Sequence, residues 1–361
     1  MRSIAASLIA LSIAVAAQAQ MPPALQLPTG VPTLDPNLGA TKFTFVVAGD
    51  NRPGKATLPL TQPLIDMIGR LGAQPPAFVV WDGDTVFGKR QTGIAAQYVE
   101  FLAAMRKLPV PLFNAPGNHE LVVQTNIPCG TPDDPWNSEL PDWSGAMLAQ
   151  YNYSMAPPYG MFRYGNAAFL VVNTDDVPDV AIPSACDYVG FVGQAQLTAL
   201  QTSLDQLSAD KSIAHIFLFM HRPIHDDNGS QIVPSTSGTD YANRLTQFRS
   251  LIDSTAHPKV TFVFASHDHR LFVYPPPSNP NGPFTRTVPT TGNPTFIVTG
   301  GAGAPLTGCK SGTTGGPAGS YFHYTTVAVD GTNVTVWVNP LYGTTPCGAP
   351  PVSAQPAGGA K

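Results

Sequence analysis

Six residues of metal-binding type stand in a fixed order along the chain, each just past an apolar run. They are Asp50 in GDNR, Asp84 in GDT, Asn118 in GNHE, His221 in MHRP, and His267 and His269 in SHDH. The runs before them are FTFVVA, AFVVW, VPLFNAP, IFLFM and VTFVFA. One aspartate after a strand carries no message. Five strand ends can meet at one sheet edge, and their carboxylate, amide and imidazole donors suit Zn, Mn and Fe. Two ions ~3.5–4 Å apart, held by a bridging carboxylate, activate a water and stabilise displacement at phosphorus. His267 and His269 project the same way along an extended segment, so both reach one site.

The elements that must position these residues are legible as alternating patterns. TKFTFVVAGD, AFVVWDGD and VPLFNAPGNHE read as strands. Between them lie helices with apolar faces at Leu60, Leu64, Ile65, Ile68 and Leu71, and at Ile94, Tyr98, Phe101, Leu102 and Met105. Such a β-α-β-α-β opening implies parallel strands with crossover helices. After a long loop at about 121–160, MFRYGNAAFLVVNTD reads as a hairpin turning at Gly165-Asn166. QAQLTALQTSLDQL is a helix, SIAHIFLFMHRP a strand, TDYANRLTQFRSLIDS a helix and KVTFVFASHDH a strand. The last third is β-rich (LFVY, TFIVTGG, HYTTVAVDGTNVTVWV), with a hairpin at Asp330-Gly331. The pattern predicts an α/β fold, with two sheets packed face to face and helices outside.

The ordered set GDNR, GDT, GNHE, MHRP and SHDH resembles the calcineurin-like metallophosphoesterases, whose pattern is D-x-H, G-D, G-N-H-E, an isolated H, then G-H-x-H. MHRP and SHDHRLFVY look most like the purple acid phosphatase and alkaline-phosphatase-like exported branches, and IVTGGAGAPL like the glycine-rich strand end after G-H-x-H. The resemblance covers about residues 42 to 338. It implies a four-layer α/β/β/α sandwich of two mixed β-sheets flanked by helices. It also implies two metal ions, of Fe, Zn or Mn type, and phosphate-ester hydrolysis by a metal-bound hydroxide. Carried over by position, Asp84 bridges. Asn118, His221 and His267 complete one metal, Asp50 and His269 belong to the other, and His119 serves the leaving-group oxygen.

Two departures stand out. Arg52 replaces the histidine of D-x-H, and Phe87 stands where purple acid phosphatases supply a tyrosine ligand. The first metal then has Asp50, Asp84 and His269, which implies weak binding, completion by waters or a mononuclear enzyme. Arg52 can instead hold a phosphate oxygen, since a guanidinium matches that geometry. His225, four past His221, is a further substrate-binding candidate. Ser266 replaces the glycine of G-H-x-H. Glu120 reads as a hydrogen-bonding partner for neighbouring backbone. His215 and His323 read as structural, and Asp175-Asp176 as a turn. A rival reading is a phosphate-ligand-binding protein on the same scaffold, with one metal site impaired by Arg52.

The ends and the composition set the context. MRSIAASLIALSIAVAAQAQ has a positive start, an apolar stretch and a small-x-small site, so residues 1–19 read as a signal peptide and the protein as exported. Residues 20–40 read as a flexible lead-in, 41–347 as the phosphoesterase domain and 348–361 as a flexible tail. Lys and Arg number 19 against 23 Asp and Glu, a net charge of -4. That balance gives no footprint for nucleic acid, beyond a nucleotide as substrate, or for an anionic membrane. The expected partner is a small phosphorylated substrate. In an oxidising compartment Cys129, Cys186, Cys309 and Cys347 imply two disulfides. Three pairings are possible, and Cys129–Cys186 with Cys309–Cys347 is favoured as nearest in sequence.

Overall fold

The computed structural model describes residues 40–55, 57–87, 94–108, 110–121, 159–176, 179–180, 190–225, 239–276, 282–307 and 319–346. The four cysteines, the expected signal peptide, the tail and the lead-in up to residue 39 lie outside them. Apolar alternation dictates the first layers. β1 (Lys42–Ala48), β2 (Val79–Trp81) and β3 (Leu112–Asn114) run parallel in the order β3-β2-β1. α1 (Gln62–Ala73) and α2 (Ile94–Met105) are the crossovers. Phe43, Phe45, Val47, Phe78, Val80 and Phe113 point inward, while Val46, Ala48, Val79 and Trp81 meet the helices. The period of two thus sorts each strand between two cores.

The second sheet repeats this logic. A hairpin of β4 (Gly160–Tyr164) and β5 (Ala167–Val172) turns at Gly165-Asn166 as expected; Gly165 has φ 56°, which glycine tolerates as first turn residue. α3 is a single turn, Asn118–Leu121, at the end of β3. α4 (Gln194–Ala209) and α5 (Asp240–Ile252) cross over between β5, β6 (His215–Met220) and β7 (Val260–Ala265), all parallel. β8 (Leu271–Tyr274) and β10 (Thr295–Thr299) extend the sheet beyond β7. β9 (Phe284–Thr287), β11 (Gly319–Asp330) and β12 (Asn333–Pro346) build out the first sheet beside β1.

The two mixed sheets face each other across a phenylalanine-rich core, with Phe169, Phe217, Phe219, Phe262 and Phe264 meeting Phe45 and Phe78. Leu197, Leu200, Leu204, Leu245 and Phe248 cover the outer face of the second sheet. The result is the expected α/β/β/α layering. The pairing Gly319↔Leu271 stitches both sheets into one 12-stranded hydrogen-bonded system. Four expectations need correction. Ile65 is exposed, because the buried face of α1 runs Pro63, Leu64, Met67, Ile68 and Leu71. The second hairpin turns at Gly331-Thr332, one residue later than expected, since Asp330 pairs with Asn333. The first sheet also has an unexpected strand, β9. The GNHE segment closes into a helical turn rather than continuing the strand.

Candidate metal centre

Each strand end delivers its residue within a few positions. Asp50 and Asp84 follow β1 and β2, Asn118 opens α3 after β3, His221 directly follows β6, and His267 and His269 follow β7. All six are buried or nearly so. Asp50, Asp84 and His267 have φ of 57°, 53° and 68°, in the left-handed region that non-glycine residues rarely occupy. Three such residues at one place mark a functional geometry held by its surroundings. Close packing of backbone allows it. A Cβ on Gly117 would come within 2.4 Å of the Asp84 nitrogen, so that loop admits no larger residue.

Glu120 locks these loops together. Its carboxylate accepts from the backbone N–H groups of Asp84 (2.9 Å), Gly117 (2.8 Å) and Thr85, and from the Thr85 hydroxyl (2.7 Å). It is therefore a positioning residue, as the sequence suggested. The Asp84 carboxylate in turn accepts from the backbone N–H of His119 at 2.9 Å.

The imidazoles are oriented through their far nitrogens. His221 Nδ1 donates to the Asp82 carbonyl at 2.7 Å, and His269 Nδ1 to the Pro305 carbonyl at 2.6 Å. A carbonyl only accepts, so each Nδ1 carries a proton and each Nε2 is turned toward the site, where the neutral tautomer presents a lone pair. His221 Nε2 lies 3.2 Å from Asp84 Oδ1 and 2.9 Å from Asn118 Oδ1. His269 Nε2 lies 3.7 Å from Asp50 Oδ1. His267 Nδ1 lies 2.9 Å from Asn118 Oδ1. All six predicted ligands thus belong to one constellation.

The electrostatics call for a cation. Both Asp50 oxygens are buried without a hydrogen-bond partner among the described residues. Burial, and then the charge of Asp84, push the Asp50 carboxyl well above the usual carboxylate range. Burial would raise Asp84 too, but the cationic forms of His119 and His221, the Arg52 guanidinium and the cationic form of His267 outweigh it and hold that carboxyl far below the usual range. Burial, with the Arg52 charge, depresses His269 to about 4, which keeps it neutral and able to ligate. One oxygen or nitrogen each from Asp50, Asp84 and His221 lie within 4.8 Å of one another. Orphaned carboxylate oxygens facing oriented imidazole lone pairs fit a divalent ion.

Arg52 enters the same space. Its Nε lies 3.3 Å from Asp84 Oδ2 and its Nη2 3.5 Å from His269 Nε2, with the Phe87 ring 5.9 Å from Cζ. His119 donates from Nδ1 to the Phe87 carbonyl, and its Nε2 lies 3.7 Å from Asp84 Oδ2. His225 is placed differently. Its ring stacks on Tyr274 with centroids 4.0 Å apart, and its nitrogens face Asp253 (2.8 Å) and Arg249 (3.4 Å) rather than the ligand cluster. Sequence reasoning missed Arg222. Its Nε holds both oxygens of Asp175 at 2.9 and 3.1 Å, and its Nη1 reaches His267 Nε2 at 3.3 Å. Its position next to His221 was the available signal. Asp175, read as a turn, is its anchor.

Comparison with known proteins follows the same lines. The family model described as calcineurin-like phosphoesterase matches residues 43–271. No curated protein sequence matches. A purple acid phosphatase from yellow lupin (Lupinus luteus) seeds has a similar structure, with TM-score 0.58 and 15% identity over 84% of this chain. The match takes in 52% of the lupin chain, so this chain spans about half that length. A dimetal phosphatase from Danio rerio is similar at TM-score 0.49 and 13% identity, over 83% of this chain and 99% of that one. Since that family model spans more than half of the sequence, the chain belongs to the calcineurin-like phosphoesterase family.

Proposed function

We propose that this protein is an exported, metal-dependent phosphoesterase acting on small phosphorylated substrates. The observation that carries it is the pair of buried carboxylates, Asp50 and Asp84, facing the oriented Nε2 atoms of His221 and His269. Asp50, Asp84, Asn118, His221, His267 and His269 are the donors from which a bound metal would draw its ligands. When bound, it lowers the pKa of a coordinated water and offsets charge developing at phosphorus. The Arg52 guanidinium, beside Asp84, presents N–H groups to a phosphoryl oxygen. His119 Nε2 donates a proton to the leaving-group oxygen, while the Phe87 carbonyl fixes its ring. The apolar N-terminus supports export, and no helix among the described residues is long and apolar enough to cross a membrane.

The test is hydrolysis of a chromogenic phosphate monoester and diester after reconstitution with Mn, Zn or Fe. Wild type is expected to exceed an Asn118→Ala/His221→Ala control by at least ~100-fold; equal rates with every metal reject the proposal. A second reading is a phosphate-binding protein without turnover, favoured by the contacts of Arg52 to Asp84 and His269. Saturable phosphate binding with no hydrolysis would select it.

A further inference from the structure

We infer that Arg52 is a tethered cation occupying the place of one of two metal ions, and that the site holds a single ion ligated by Asp50, Asp84 and His221. This rests on the metal-dependent reading above. A metal bound by Asp84 and His269 needs their lone pairs at about 2.0–2.2 Å. Those same atoms, Asp84 Oδ2 and His269 Nε2, already face Arg52 Nε and Nη2 at 3.3 and 3.5 Å. An ion between them must displace the guanidinium. Arg52 is held at its backbone and flanked at its guanidinium. The Arg52 backbone N–H donates to the Asp84 carbonyl at 3.0 Å, and the Phe87 ring lies 5.9 Å from Cζ. Phe87 adds no ligand in compensation.

The remaining donors close on a single point. Asp50, Asp84 and His221 come from three different strand ends, yet one ligand atom of each lies within 4.8 Å of the others. Asp50 has both oxygens buried and without a hydrogen bond among the described residues, Arg52 included. Asn118 Oδ1, 2.9 Å from His221 Nε2, is within reach as a fourth donor. Two buried carboxylates then face one divalent ion and one guanidinium. The fixed charge offers a phosphoryl oxygen what a second ion would, without an exchangeable metal.

Chelator-stripped full-length protein, reloaded with Mn²⁺ and desalted, tests this by elemental analysis and electron paramagnetic resonance. We expect one Mn per chain and the six-line spectrum of an isolated ion. Arg52→His should bind about two, with an exchange-coupled spectrum. Asp50→Asn, checked for wild-type circular dichroism, should lose its ion. Two ions and a coupled spectrum in wild type would overturn the inference, as would an Asp50→Asn protein that retains Mn as tightly as wild type. If wild type and Arg52→His both bind none, the metal-dependent reading itself falls. One ion in wild type without hydrolysis leaves this inference standing and removes only the activity.

Discussion

Glycine 49 shows how tightly single residues are fitted behind the ligands. A Cβ there would lie 2.1 Å from the Ser266 hydroxyl, and Ser266 is the residue that departs from the family's glycine. Gly49→Ala should therefore destabilise the protein by about 1–3 kcal/mol in urea unfolding. Ser266→Gly should recover much of that loss in a double-mutant cycle; strict additivity would mean that the two do not touch. His323 yields a pH prediction. Burial depresses it to about 4, against 6.5 when exposed. Between those values the unfolded chain binds the extra proton, so stability rises with pH. Its contribution is whole above pH 6.5 and is lost as pH falls toward 4, by a few kcal/mol at roughly 1.4 kcal/mol per unit. His323→Gln should flatten that limb of a melting-temperature profile. The convergence of the candidate ligands was legible from the sequence because strand-end Asp, Asn and His have no structural reason to recur in that order. The Arg222–Asp175 pair was not, since it joins residues 47 apart whose partnership no local pattern records.

At the scale of elements, α1 separates pattern from position. Leu64 is wholly buried and Ile65 is 47% exposed, although both belong to the apolar set seen in the sequence. Leu64→Ala should cost about 2–5 kcal/mol by leaving a cavity. Ile65→Lys should stay within about 0.5 kcal/mol, as surface changes usually do. Comparable losses in chemical denaturation would refute the assigned face. The long crossover helices and buried strands were readable because apolar periodicity persists over many residues. β9 was not. Its FTRT alternates threonine with one buried and one partly buried side chain, too short a signal to stand out between proline-rich segments. The turn at α3 was hidden for another reason. Its four residues, Asn118–Leu121, follow the demands of Glu120 and Asp84 rather than any helical pattern.

For the molecule as a whole, the sandwich followed from strands with two apolar faces, which need cover on both sides. The joint between the sheets was beyond sequence reading, because Gly319↔Leu271 is one backbone pairing. The centre spans both sheets. Asp50, Asp84 and Asn118 come from the first, and His221, His267 and His269 from the second. Its contacts bridge long stretches of chain: 217 residues for Arg52 to His269, 149 for Asn118 to His267 and 139 for His221 to Asp82. Loop-closure entropy makes such non-local pairings slow to form. The centre should therefore be among the last features to assemble during refolding from denaturant. Metal uptake followed by stopped flow should lag the recovery of far-ultraviolet circular dichroism, whereas uptake in step with early helix formation would contradict this. Protein halted partway to its native state would have secondary structure but no tightly held ion, so metal retention would report complete folding.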